Sequence, residues 1–192
     1  MPGNFAKAGL TAGLILVSAA AVRAEIVKTA IPNCVKDKIC FYWWPKLPPL
    51  KGWHADERAN YANGDGNGIN ALVPDGSDFV NADTVIYAQA VLKERYEADN
   101  PKSKTLDAFI ADDRGAIVQD HKDMRIDEAP ALTTGDGRKL RSLTYVRAGE
   151  LERVSYGEEG GYYLLFVINA HSESGFRSGM AAYEALVRSY RQ

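Results

Sequence analysis

The chain has 192 residues, 23 basic and 25 acidic side chains, a net charge of −2 and 46% hydrophobic residues. That balance excludes the basic stripe a nucleic-acid surface needs, and it supplies enough apolar material for one domain with a real core. Beyond the N-terminus no stretch approaches the roughly 18 consecutive apolar residues of a membrane-spanning helix.

The first segment reads as a secretory signal. Lys7 gives a weak positive start, Leu10 to Val17 a short apolar core, and Val22-Arg23-Ala24 a small-x-small cleavage site. Residues 1–24 are therefore predicted to be a signal peptide and residues 25–192 a single α+β domain, located in the periplasm or secreted. The apolar run is too short and too rich in glycine and alanine for an anchor, and no cysteine stands at the cleavage site for lipidation. Export places Cys34 and Cys40, the only two cysteines, in an oxidising compartment where a bridge is expected. Closing so short a loop contributes about 2 kcal/mol, and the spacing is too wide for a redox Cys-x-x-Cys pair.

Residues 25–32 read as an arm leading to this staple. Cys40-Phe41-Tyr42-Trp43-Trp44 is aromatic enough for a strand, stopped by Pro45. Pro48-Pro49 then holds the chain extended or turning, in a rigid loop that presents Trp53 and His54. The run Asn63-Gly64-Asp65-Gly66-Asn67-Gly68 places residues that tolerate positive φ at alternate positions. It matches the first half of a calcium loop, but Asn63 replaces the leading acid and Pro74 stands where the bidentate glutamate belongs, so a glycine loop is the reading taken.

Ile69 to Val73 is a strand ended by the turn Pro74-Asp75-Gly76. Thr84 to Leu92 is nearly all apolar, the mark of a strand covered on both faces. Glu94 to Lys102 reads as a charged surface connection. A helix follows from Thr105 to about His121, capped by Ser103 or Thr105, with Leu106, Phe109, Ile110 and Ile117 on one stripe. Met124 to Leu132 and Lys139 to Arg147 flank Thr134-Gly135-Asp136-Gly137, a hairpin signal. Leu151 to Tyr156 and Tyr162 to Ala170 form a second hairpin around Gly157 to Gly161. A closing helix carries Phe176, Met180, Tyr183, Val187 and Tyr190 at helical spacing. This order predicts an antiparallel sheet covered by helices.

Leu106-Asp107-Ala108-Phe109-Ile110, the hairpin Leu132 to Arg138, the strand-turn-strand Val154 to Ile168 and the closing helix Tyr183 to Arg191 together resemble the PsbP-like fold. The resemblance covers roughly residues 80 to 191. It implies an α/β/α sandwich and a non-enzymatic binding or assembly factor; the Cys34 to Gly76 region departs from it.

The binding residues expected from the sequence are Trp43, Trp44, Trp53, His54 and Asp56. Aromatic rings on a proline-stiffened loop suit a protein or cell-envelope partner. Trp43 and Trp44 point to opposite faces of a strand, however, so at least one belongs to the core. His54 with Asp56 and Glu57 would serve a hydrolase or lyase, and stacked tryptophans a carbohydrate-binding module; these are the two alternatives. Without a second histidine or cysteine at ligand spacing, no metal site, cofactor or catalytic residue is assigned. Asp112-Asp113-Arg114, adjacent on a helix, are read as unable to pair.

Overall fold

The computed structural model describes residues 26–35, 38–56, 59 and 69–191, with the side chains of 31–40 left out of that description. The signal segment, the Asn63 to Gly68 loop and the thiols of Cys34 and Cys40 lie outside the described residues.

Two strands open the chain, β1 (Ile26–Val35) and β2 (Lys38–Pro45), paired antiparallel with Val27 opposite Trp44 and Ile31 opposite Cys40. The segment read as an arm is thus half of a hairpin, as β-branched Ile26, Val27, Thr29 and Ile31 favour. Next come β3 (Trp53–Ala55), β4 (Asn70–Pro74), β5 (Thr84–Leu92), α1 (Lys93–Asp99), α2 (Leu106–Asp120), β6 (Arg125–Thr133), β7 (Lys139–Arg147), β8 (Glu150–Glu159), β9 (Tyr162–Ala170) and α3 (Glu173–Ser189). Strands β3 to β9 form one antiparallel sheet in the order β3-β4-β5-β9-β8-β7-β6.

Two further elements differ from expectation. Trp53–Ala55 is a short edge strand paired with β4, with Trp53 opposite Pro74; its three residues are too few to carry a periodic signal. Lys93–Asp99, read as a connection, is a helix without a buried residue, so no apolar stripe marked it. The helix still holds Tyr96 edge-on against Phe109, with centroids 5.0 Å apart.

The strand pleat sends alternate residues to opposite faces. On one face Ile86, Ala88, Ala90, Leu164, Phe166 and Ile168 meet Tyr183, Leu186 and Val187 of α3 and Tyr190, which follows it. Trp43, Leu47, Leu50 and Trp53 continue that layer beside the helix. Ser172 caps α3 by accepting from the Gly175 amide at 3.0 Å. The helix lies so close to the sheet that a Cβ on Gly179 would sit 2.8 Å from Thr84 Cγ2 and 2.9 Å from Ile168 Cδ1. On the other face Leu143, Tyr145, Val154, Tyr156, Tyr163, Leu165 and Val167 meet Phe109 and Ile110 of α2, whose cap Thr105 accepts from the Ala108 amide. Helices therefore pack on both faces of an antiparallel sheet, as the nearly unbroken apolar runs of β5 and β9 led us to expect. Among the described residues no helix is long and apolar enough to cross a membrane.

Candidate functional site

The α2 face of the sheet departs from an ordinary apolar layer in one row. Register places Val85 opposite Asn169, Asn169 opposite Glu152, and Glu152 opposite Tyr145, so β5, β9, β8 and β7 each contribute one side chain to a single line. One row further, Tyr87 faces Val167. A strand pair brings directly opposed Cβ atoms within about 5 Å, so a glutamate and an asparagine spaced far apart in sequence become neighbours here.

Glu152 Oε2 accepts from Asn169 Nδ2 at 3.0 Å and from the Tyr87 hydroxyl at 3.4 Å. The same asparagine amide donates to Glu150 Oε1 at 3.0 Å. Burial, above all, pushes the Glu152 carboxyl up to about 7; Asp113 and Glu150 add to the rise, and the Asn169 and Tyr87 hydrogen bonds oppose it. Glu150 goes the other way. Burial alone would raise its carboxyl, but the Asn169 hydrogen bond and the Arg147 guanidinium hold it below the usual range. Two glutamates on one strand thus have opposite protonation preferences, which is how sites keep one carboxyl neutral beside an ionised one.

Asp113 of α2 reaches down onto the same face further along, at Tyr156, which lies opposite Leu165. Its Oδ2 accepts from the Tyr156 hydroxyl at 2.6 Å, and the Tyr145 and Tyr156 hydroxyls lie 2.7 Å apart. A phenol has one proton and that of Tyr156 goes to Asp113, so Tyr145 donates to Tyr156. Burial raises the Asp113 carboxyl and the Tyr156 hydrogen bond opposes it. Burial, with neighbouring carboxylates, also raises the Tyr87 hydroxyl well above its ordinary value.

Two cavities open on this face. The first, of about 290 Å³, is walled by Ile69, Phe79 and Val85 and by the polar groups Tyr87, Glu150, Glu152, Asn169 and His171. The second, also about 290 Å³, lies under α1 and α2; Val91, Tyr96, Phe109 and Leu165 form its apolar lining, with Gln89, Asn100, Asp112 and Asp113 among them. Asp112 and Asp113 therefore line one cavity although they are adjacent on the helix. Asp112 bonds Tyr96 at 2.8 Å, while Asp113 points toward the sheet.

The residues chosen from sequence sit elsewhere. Trp44 is buried, and Trp43 and Trp53 are half-buried against the α3-side core. Asp56 is buried, and its carboxylate accepts from the Phe79 amide at 3.0 Å. His54 is exposed, with Nδ1 3.5 Å from Asp75 Oδ1, and it lines neither cavity. The structure thus joins His54 to Asp75 rather than to Asp56. Lys28 lies 4.2 Å from the centroid of Phe41, an exposed ring on this edge. Among the described residues no group of three or more histidine, cysteine, aspartate or glutamate side chains is placed to hold a metal ion.

Sequence reasoning missed Glu152 and Tyr87, and it set Asp113 aside because of its place beside Asp112. A signal for the first was available: Glu152-Arg153 stands inside a strand flanked by strands covered on both faces, where a charge must be buried. No protein-family model matches the chain, and no curated protein matches it in sequence.

Proposed function

We propose that the protein is an exported binding protein of PsbP-like architecture whose ligand site is the cleft on the α2 face around Glu152. The observation that carries this reading is a cavity of about 290 Å³ in which the half-buried Glu152 carboxyl meets convergent asparagine, tyrosine and histidine side chains; burial also pushes that carboxyl up to about 7. A concave, partly apolar site with few oriented polar groups is the usual form of a small-molecule site, and strongly shifted acids gather at such sites. Screening a fragment library by amide chemical-shift perturbation tests it. Hits should move the amides of Tyr87, Glu152 and Asn169; hits confined to the Trp43–Asp56 edge would transfer the function there.

One feature favours a second reading, that the cleft performs acid–base chemistry: a carboxyl that burial pushes up to about 7 is in the range a general acid needs at neutral pH. Turnover of a hydrolase or lyase substrate, lost on Glu152→Gln, would establish it. Contact with a protein or envelope partner through the Trp43–Asp56 edge has Phe41 and His54 at the surface in its favour, while its tryptophans are largely committed to packing. The proposal includes the Cys34–Cys40 bridge, both cysteines belonging to one hairpin; intact mass before and after alkylation of the mature chain tests it.

A further inference from the structure

We propose that His121, at the C-terminus of α2, is a positioning residue of the cleft: its neutral imidazole accepts from Arg147 and so fixes the guanidinium that holds Glu150 in the cleft wall. This rests on the reading that the cleft around Glu152 is the binding site, and adds a residue outside the cleft that sets the geometry of its wall.

Arg147 Nη1 and His121 Nδ1 lie 3.0 Å apart. A guanidinium stays charged and has only donors to offer, so the nitrogen that faces it must accept. The contact therefore assigns the tautomer: Nδ1 carries the lone pair and Nε2 the proton. An imidazolium has no free lone pair and would set a second positive charge against Arg147, so only the neutral ring closes this link. The ring also starts from an anchored place. His121 caps α2, its amide donating to the Ile117 carbonyl at 2.9 Å and its carbonyl accepting from the Met124 amide at 3.0 Å.

The rest of the guanidinium turns toward Glu150. Nε donates to Glu150 Oε2 at 2.6 Å, and Nη2 pairs with the same oxygen. Arg147 thus has one edge on the carboxylate and Nη1 on the imidazole. A planar fork held at both sides loses the swing that a long side chain otherwise keeps, and its hydrogen bonds gain direction. An ion pair this near the surface stabilises a fold little; what it supplies here is orientation. Glu150 Oε1 is left for Asn169 Nδ2 at 3.0 Å, and the same nitrogen donates to Glu152 Oε2 at 3.0 Å. An amide NH2 group has two protons, so both are used, one on each glutamate, and the place of Glu150 sets the plane of Asn169. His121 lines neither cavity, whereas Glu150, Glu152 and Asn169 all wall the first. A chain of polar contacts in which each member orients the next is how a residue outside a site shapes it.

Nitrogen-15 NMR of the imidazole at pH 8 reads the tautomer, and carboxyl and side-chain N–H spectra of His121→Ala and His121→Asn read its consequence. Nδ1 is expected to be the bare nitrogen. His121→Ala should raise the Glu150 titration midpoint toward the ordinary carboxylate range, move the Asn169 side-chain amide, and speed hydrogen exchange at Arg147 Nε severalfold. An asparagine Oδ1 takes nearly the place of Nδ1, so His121→Asn should restore all three; a role confined to ending the helix moves none of them. A protonated Nδ1, Glu150 and Asn169 signals left in place by His121→Ala, or an asparagine variant that behaves like alanine overturns the proposal. Fragments that shift the Glu152 amide should bind His121→Ala severalfold more weakly, and equal affinity overturns the positioning role. Where no fragment shifts that amide in the native chain, the cleft reading falls, and the link from His121 to Glu150 still stands or falls on the spectra.

Discussion

The two faces of the central sheet use the same residue types for opposite ends. On the α3 face most polar groups are paired: the Tyr183 hydroxyl donates to the Phe166 carbonyl at 2.9 Å and lies 2.7 Å from Ser155 Oγ, and the Ser142 and Ser155 hydroxyls lie 2.7 Å apart, while Arg153 Nε is buried without a hydrogen-bond partner among the described residues. Tyr190 donates to Glu159, which Arg138 neutralises. On the α2 face, Tyr87 and Tyr156 donate to Glu152 and Asp113, which form no ion pair among the described residues, beside two cavities. Complete satisfaction rigidifies a core, whereas a polar row left short of partners costs stability. One face of this sheet packs the closing helix, and the other carries the shifted carboxyls beside the cavities.

Breaking the α3 face should have the largest effect. Leu186, fully buried under the helix, is expected to cost about 2 to 5 kcal/mol on Leu186→Ala, the range for a large-to-small change in a packed core. Denaturant unfolding measures it, and the loss should leave the pH dependence of stability unchanged in form.

Glu152→Gln should act in the opposite direction. Because the folded carboxyl titrates near 7 instead of 4.5, the native state holds more protons than the unfolded chain between those values. The stability linked to Glu152 is therefore fully present below about pH 4.5 and is lost as pH rises through 7. Removing the carboxyl should flatten that fall and stabilise the protein at pH 8 by on the order of 3 kcal/mol at most. A variant that gains stability while losing ligand is the signature of a strained functional group. Glu150 and Asp113 remain in the variant: Glu150, lowered, contributes stability that disappears only below the ordinary carboxylate range, and Asp113, raised, leaves a residual slope just above it.

Smaller effects sharpen the contrast. Tyr156→Phe removes the middle of the Tyr145–Tyr156–Asp113 chain and leaves a buried tyrosine hydroxyl and a carboxyl unpartnered, for a cost of about 1 to 3 kcal/mol, read from thermal unfolding. His54→Ala, at an exposed pair with Asp75, should change stability by less than about 0.5 kcal/mol and leave ligand binding untouched. A large loss of binding in that variant would move the site to the edge.

Most of the architecture was legible because burial imposes period on sequence. Tyr183, Val187 and Tyr190 marked α3, Thr134 to Gly137 marked a hairpin, and the unbroken run Tyr163 to Ile168 marked a central strand. Elements with nothing to bury left no such trace: α1 has no buried residue and β3 only three residues. The site was hidden for a different reason. Glu152, Asn169 and Tyr87 are distant in sequence and meet only through strand register, which no local pattern displays. The tryptophans drew notice because they are rare and adjacent. Trp44 shows what that rarity reflects, since a large ring is the economical way to cover a sheet edge with a short hairpin.

Carbon-13 carboxyl NMR of Glu152 across pH 4 to 9 tests the central claim most directly. A titration midpoint near 7 is the result expected of a carboxyl whose burial outweighs the hydrogen bonds it accepts. A midpoint near 4.5 would mean that the carboxyl is solvated and the α2 face is an ordinary surface.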